Sequence, residues 1–226
     1  MAATLLGGSD LLNDQSATQL ETWLGQGSIQ LRNIYDKQAA NTSYDFHAAA
    51  NGRGATFSIV EVTGVGGNIL TTPVSIGGYN PQSWSSDTQW NFTVNDSLRT
   101  AFVFNLTTSN LFRQALSNDY QAMGSYQTYN NGFYGPTFGA GHDIYVDQSL
   151  DSGFSFLHSY SSGSNFSADI AIYPNHYAGE NLQFGQIEVF SVSAVMPPPV
   201  PEPATYILLF AGLCVITKMS TEKAKL

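Results

Sequence analysis

The side chains in this sequence that can carry acid–base chemistry are few, and the densest group is Gly139-Ala140-Gly141-His142-Asp143. A glycine-rich loop can cradle a phosphate, but a phosphate loop leads into a helix and usually contains a lysine. Here Ile144-Tyr145-Val146 follow, which is a strand pattern. We therefore expect the glycines to permit a tight entry into a strand, with His142 and Asp143 at its mouth.

Glu188 is the second candidate, because it lies between Ile187 and Val189 on a predicted strand. Burial raises the pKa of a carboxyl group, so a buried Glu188 can serve as a general acid or base. A structural carboxylate that accepts hydrogen bonds from a neighbouring loop explains the same pattern. Catalysis requires His142, Asp143 and Glu188 to converge in one pocket.

The spacing of the histidine and aspartate residues gives little support for a metal site, and the sequence gives little support for covalent catalysis. No two histidines have a metal-ligand spacing such as His-x-x-x-His, and Asp143, Asp147 and Asp151 recur every four residues without the alternate oxygens of a calcium loop. The single cysteine, Cys214, lies near the C-terminus, and no Gly-x-Ser-x-Gly motif is present. We predict no metal site and no cofactor. The four histidines are His47, His142, His158 and His176.

Aromatic residues in Gly/Asn-rich surroundings suggest a different chemistry. Tyr126, Tyr129, Tyr134 and Trp84, if exposed, can stack on sugar rings. The alternative is that most of them are half-buried residues of a β-rich core.

The composition excludes one class of partner. Only 11% of the residues are charged, against about a quarter in an average soluble domain, and the net charge is −9. An acidic surface repels phosphate backbones, so no nucleic acid partner is expected.

The elements that must position these side chains are mostly strands. Ser16 with Gln19 has a capping-box pattern that predicts a short helix ending at Gly25, and Ser43–Ala50 is a second predicted helix. The pattern predicts a mainly β (α+β) domain over residues 1–193, a two-sheet antiparallel β-sandwich with a few short flanking helices. The predicted strands are Ile29–Tyr35, Thr56–Val62, Val74–Gly78, Ala101–Leu106, Asp143–Val146 and Phe184–Val192.

The composition changes abruptly after this domain. Residues 194–203 form a proline-rich spacer, and residues 204–226 combine an apolar run with a basic end. About 14 uncharged residues is marginal for crossing a bilayer, which takes about 20, and a buried C-terminal helix is an alternative.

The order of parts around Pro201-Glu202-Pro203 resembles the PEP-CTERM sorting signal of Gram-negative bacteria. This resemblance implies recognition by an exosortase, transient anchoring in the inner membrane through a hydrophobic sorting helix, and delivery to the cell surface or exopolysaccharide matrix. The basic end has three lysines instead of an arginine cluster. Met1–Asp10 has no signal-peptide pattern, so we expect an export signal upstream of Met1.

Residues 5–192 contain a series of short motifs in a fixed order. The motifs are Asp45-Phe46-His47, Gly52–Phe57, the pair Gly77-Gly78 with Trp84, Ala101–Leu106, the segment containing Gly139, Gly141, His142 and Asp143, and the strand containing Glu188. Their order resembles a TLDc domain. The resemblance implies a two-sheet β-sandwich with flanking helices, and in eukaryotes the family is linked to oxidation resistance and to the vacuolar proton pump. An exported bacterial protein would not meet that pump.

Three functional hypotheses follow. The first is an exported, non-catalytic module that binds extracellular polysaccharide or has a structural role in the matrix. The second is a secreted enzyme or oxidative-stress factor that uses His142, Asp143 and Glu188. The third is an intracellular TLDc protein whose apolar tail is incidental.

Overall fold

The computed structural model describes residues 3–117, 123–160, 170 and 179–195. The predicted sorting motif Pro201-Glu202-Pro203 and the apolar segment after it lie outside these residues, as do His176 and Cys214. No helix among the described residues is long and apolar enough to cross a membrane.

Strands dominate the described part of the chain, as the sequence predicts. Two α-helices accompany them, α1 (Asp14–Leu24) and α2 (Ser43–Ala50). Two short 3-10 turns, Asp96–Leu98 and Met123–Ser125, complete the helical structure. The strands are β1 (Thr4–Leu6), β2 (Ile29–Asp36), β3 (Thr56–Val65), β4 (Asn68–Asn80), β5 (Gln89–Phe92), β6 (Phe102–Asn105), β7 (Asn110–Arg113), β8 (Tyr126–Asn130), β9 (Tyr145–Val146), β10 (Ser152–Phe154) and β11 (Leu182–Ala194).

Nine of these strands form one large sheet in the order β1-β2-β11-β3-β4-β6-β7, with β10 and then β9 attached beside one end of β11. Every pairing in it is antiparallel except that of β1 with β2, which is parallel. The sheet is therefore mixed instead of purely antiparallel. The remaining two strands, β5 and β8, pair with each other in a separate antiparallel ribbon.

Both faces of the large sheet are buried, because successive side chains point to opposite faces. Phe57 and Ile59 of β3 pack on one face with the buried Leu20 of α1. Val60 and Val62 of the same strand pack on the other face, in the cluster that contains Phe46 of α2, Trp84 and Phe138. A helix therefore covers each face, and α2 shares its face with the loops that carry the candidate site.

The N-cap of helix α1 lies three residues earlier than the predicted cap, Ser16. The cap is Asn13, whose side chain accepts from the Ser16 backbone N–H at 3.0 Å, while the Ser16 hydroxyl accepts from the Asn13 N–H at 2.9 Å. Ser16 is therefore the third helical residue and not the cap. The helix ends at Gly25 as predicted, with φ 68°.

The glycine pair of β4 allows aromatic rings to approach the backbone on both faces. A side-chain carbon at Gly77 would collide with the Ser58 carbonyl oxygen and would lie 2.8 Å from the Phe104 ring. A side-chain carbon at Gly78, on the opposite face, would lie 2.6 Å from the Phe138 ring. Glycine at both positions therefore allows the Phe104 and Phe138 rings to pack directly on the β4 backbone, one on each face of the sheet.

We predict that Gly77→Ala destabilises the fold by about 1–3 kcal/mol, because the added methyl overpacks a region that cannot shift without moving β3. Urea unfolding of both proteins measures this. The matched control is Thr72→Ala on an exposed part of the same strand, for which we expect a change below about 0.5 kcal/mol. Equal effects of the two substitutions would contradict the close-packing interpretation.

Candidate functional site

Asp143 is fully buried, and its carboxylate holds a neighbouring backbone segment in place. Its Oδ1 accepts from the N–H groups of His158 at 2.6 Å and Tyr160 at 2.9 Å, and its Oδ2 accepts from Ser159 N–H at 3.1 Å. Burial raises the pKa of Asp143 to about 7, against the opposing effect of these N–H groups, which favour the anion. The side chain points into the protein and not towards a pocket.

Close packing requires glycine at positions 139 and 141, and the backbone conformation also requires it at position 139. Gly139 has φ 75°, and a side-chain carbon on it would collide with the Asp143 carboxylate. A side-chain carbon on Gly141 would lie 2.7 Å from the Cβ of His158. Both positions support the structural interpretation of the glycine-rich segment.

His142 lies among aromatic rings and has different surroundings from Asp143. Its backbone is left-handed, with φ 56°, which is uncommon for a residue with a Cβ. Its ring stacks at 24° on Trp90, with the ring centroids 6.0 Å apart, and its Nδ1 is buried with no hydrogen-bond partner among the described residues. Burial lowers the pKa of His142, which favours the neutral ring.

Glu188 is buried in the middle of β11 and binds the loop between β1 and α1. Its carboxylate accepts from the Ser9 hydroxyl at 2.5 Å and from the N–H groups of Asp10 at 2.6 Å and Leu11 at 3.4 Å. Burial raises its pKa, while these donors oppose the shift. The arrangement is that of a structural carboxylate, the second of the two interpretations drawn from the sequence.

The three candidate catalytic side chains therefore do not form one hydrogen-bonded group among the described residues. Asp143 binds the segment His158–Tyr160, Glu188 binds the loop Ser9–Leu11, and His142 lies among aromatic rings. No three or more His, Cys, Asp or Glu side chains of the described residues are grouped so as to hold a metal ion.

Trp84 is only 1% exposed, so it is a core residue, the second of the two alternatives, and it does not stack on a sugar. Its indole N–H donates to the Thr56 hydroxyl at 2.9 Å, and its ring meets Phe46 and Phe138 edge-on in the core. An indole ring has a large apolar area and one hydrogen-bond donor, and in Trp84 the area is buried and the donor is bonded inside the fold.

A different set of rings forms a partly exposed surface, which we call the aromatic face. Trp90 contacts Tyr129 with ring centroids 4.4 Å apart, and Tyr145 contacts Tyr134 and Phe154 at 4.9 Å each. The sequence identified Tyr129 and Tyr134 as candidate stacking rings and His142 only as a candidate acid–base residue. The members of the aromatic face are Trp90, Tyr129, Tyr134, His142, Tyr145 and Phe154, each of them partly exposed.

An open cleft of about 600 Å³ lies at one end of the aromatic face. Its apolar lining consists of Phe133, Tyr134 and Tyr145, and Phe133 is 57% exposed. Burial raises the pKa of Tyr145, and the neighbouring Tyr134 and Asp147 raise it further, so the phenol stays neutral and can donate a hydrogen bond. The polar lining consists of Thr42, Asp147, Gln148 and Ser149.

Helix α2 positions both walls of this cleft. The Nε2 of its buried His47 lies 2.9 Å from the Asn131 carbonyl and 3.1 Å from the Tyr134 carbonyl, and it donates to them.

At the start of the helix, the Ser43 hydroxyl donates to the Gly132 carbonyl at 2.7 Å, and the Ser43 N–H donates to the Gln148 carbonyl at 2.8 Å. The helix thereby joins the loop that carries Phe133 to the loop that carries Asp147.

Asp147 is held by two hydroxyl groups at the polar side of the cleft. Its Oδ1 accepts from Ser149 at 2.7 Å and its Oδ2 from Ser152 at 2.6 Å. The signal in the sequence for this wall is the Asp-x-Ser turn that follows the predicted strand. Such a turn predicts a loop, and only the fold brings it beside Phe133 and Tyr134.

We predict that Asp143→Asn changes how stability depends on pH. The native carboxyl of Asp143 holds its proton up to about pH 7, whereas the unfolded chain releases it near 3.8, so the wild-type free energy of unfolding falls as the pH rises between these values. This contribution is on the order of a few kcal/mol and is missing in the variant. Urea unfolding at about pH 4.5 and about pH 8 measures it. A difference between the two proteins that does not vary with pH would refute the raised pKa.

We predict that Glu188→Ala destabilises the fold by about 1–3 kcal/mol, because the Ser9 hydroxyl and the Asp10 N–H lose their buried acceptor. Amide hydrogen exchange at Asp10 and Leu11 should accelerate more than exchange elsewhere in the sheet. The control is Arg32→Ala on the adjacent β2, where the side chain is exposed. Unchanged exchange at both amides would show that the loop does not depend on Glu188.

Comparison with protein families matches residues 5–193 to the TLDc domain. The match covers the large sheet, both helices, the aromatic face and the cleft. No curated protein shows a significant match to the chain.

Proposed function

The chain belongs to the TLDc domain family, and from that premise we propose that it is an exported, non-catalytic module that binds extracellular polysaccharide at the cell surface or in the matrix. An exosortase and the inner membrane would be its transient partners through the C-terminal segment. The vacuolar proton pump linked to eukaryotic members is not part of the proposal.

The aromatic face with its adjoining cleft is the observation that carries this proposal. Sugar rings have apolar C–H faces that pack on aromatic rings, while their hydroxyl groups need hydrogen-bond partners. Phe133, Tyr134 and Tyr145 supply rings beside Asp147 and Gln148, which supply the polar partners. A glycan is the ligand class that uses both kinds of lining together.

The absence of a catalytic role is supported by how the candidate carboxylates are used. General acid–base catalysis by a carboxyl group requires that group to lie within hydrogen-bond reach of a bound substrate. Asp143 faces inward to three backbone N–H groups, and Glu188 is engaged by the loop Ser9–Leu11. These contacts favour a binding module over the alternative of an enzyme or oxidative-stress factor that uses His142, Asp143 and Glu188.

The export part of the proposal rests on the sequence after the domain. Pro201-Glu202-Pro203 precedes an apolar run and a basic end, the order of parts in a PEP-CTERM signal. A polyproline spacer is stiff and would separate the domain from the membrane during sorting. The hydrophobic sorting helix belongs to this proposal.

We also propose that the β5–β8 ribbon is the reduced second sheet of a two-sheet sandwich. Trp84 and Phe138, which flank the ribbon along the chain, pack against Val60 and Val62 on the large sheet in one core cluster. Thr128 of β8 forms a bridge with Phe138, which ties the ribbon to that cluster. The aromatic face then lies at the open side of the ribbon.

We predict that the tagged protein recovered from the matrix of the producing bacterium lacks the residues after Pro203, because processing would release the domain from the membrane. Mass spectrometry of both termini, in matrix and membrane fractions, measures this. A control variant with Pro201, Glu202 and Pro203 all changed to Ala should stay in the membrane fraction with an intact tail.

The same fractions test the binding part separately. The double variant Phe133→Ala/Tyr145→Ala should be processed normally but pass from the matrix into the medium, because it lacks the stacking rings. An intact tail in cytosolic material alone would refute export. Normal matrix retention of the double variant would refute binding through the cleft.

A further inference from the structure

We infer that the ligand of the cleft is an uncharged polysaccharide, bound by Phe133 and Tyr145 through its sugar faces and by Asp147 and Gln148 through its hydroxyl groups. This inference rests on the proposed function and narrows its ligand class. It separates neutral glycans from the uronic-acid polymers that are also common in extracellular matrices.

Electrostatics is the first argument. None of the described residues that line the cleft is lysine, arginine or histidine, and Asp147 adds a carboxylate to its wall. The whole chain has a net charge of −9. A polymer with one carboxylate per sugar would meet like charge both on approach and in the cleft, with no base to pair with.

The exposure of the rings is the second argument. Phe133 is 57% exposed and Tyr44 is 52% exposed, and the two rings meet edge-on with centroids 5.9 Å apart. Two large apolar side chains side by side at the rim of a cleft are typical of a binding surface. The C–H face of a neutral pyranose covers such rings without burying a charge.

The polar lining is the third argument, because it suits hydroxyl groups better than ions. Asp147 already accepts from the hydroxyl groups of Ser149 and Ser152, so its environment is a hydroxyl network. The Tyr145 phenol is kept neutral beside it and can donate. A sugar hydroxyl can donate to Asp147 and accept from Tyr145, whereas a carboxylate can only accept and so cannot bond to Asp147.

The experiment uses the polysaccharide of the producing bacterium's matrix, separated by anion exchange into a neutral and an acidic fraction. Part of the acidic fraction is carboxyl-reduced, which removes its charge and keeps its linkages. Affinity electrophoresis of the full chain, kept soluble with a zwitterionic detergent, measures the retardation that each fraction causes. We expect the neutral fraction to retard the protein and the acidic fraction to leave it unretarded at low salt.

Variants locate the binding in the cleft. Phe133→Ala and Tyr145→Ala should each weaken binding of the neutral fraction roughly five- to tenfold, the value of one lost ring contact. Phe92→Ala is the matched control, since Phe92 is 50% exposed but does not line the cleft, and its binding should match the wild type. Asp147→Asn should raise binding of the acidic fraction relative to the neutral one.

The outcomes separate this inference from the proposed function. Retardation by no fraction would overturn both. Equal or stronger retardation by the acidic fraction than by its carboxyl-reduced form would overturn the inference and leave polysaccharide binding standing. Loss of binding in Phe92→Ala but not in Phe133→Ala or Tyr145→Ala would place the glycan elsewhere and overturn the assignment to the cleft.

Discussion

The carboxylate of Asp143, bonded to three consecutive backbone N–H groups, is the contact on which the candidate site depends. It draws His158–Tyr160 against the loop before β9 and leaves no room for a side chain at Gly139. With Asp143 fixed inward, the preceding residue must turn outward, and His142 does so in a left-handed conformation. The centre of the aromatic face is therefore positioned by a buried carboxyl group that the proposed ligand would not touch.

Glu188 also binds a backbone segment through its carboxylate, and in this case the segment is the loop between β1 and α1. In a protein with so few charged residues, two buried carboxylates are costly unless N–H or O–H donors surround them. Both have several donors: Glu188 joins a loop to the large sheet, and Asp143 joins the loop before β9 to the segment His158–Tyr160. An acidic residue on an apolar strand resembles a catalytic group in the sequence. In this fold Glu188 instead binds a loop, because its carboxylate accepts hydrogen bonds from that loop.

The sequence predicts the strands and helices of the core more completely than it predicts the site. Helix Ser43–Ala50 and the centres of the long strands are confirmed, because burial on regular faces leaves a periodic pattern. The ribbon strands were not predicted, since Gln89–Phe92 and Tyr126–Asn130 mix polar residues with rings and have no clear alternation. Exposure cannot be inferred from the type of an aromatic residue, so the sequence leaves the exposure of Trp84 open, whereas the structure buries Trp84 and leaves Trp90 partly exposed.

A binding role agrees with how the protein distributes its aromatic residues. Rings that serve only the core can be buried completely, as Trp84 and Phe138 are. The rings of the aromatic face instead keep part of their surface in water, although they already contact one another and are anchored by helix α2 and by Asp143. Holding apolar area exposed costs stability, and this cost agrees with the proposed ligand, which would cover the rings. The contacts that helix α2 and Asp143 make with these loops also argue against non-specific adhesion, because a preorganised cleft favours ligands of one shape.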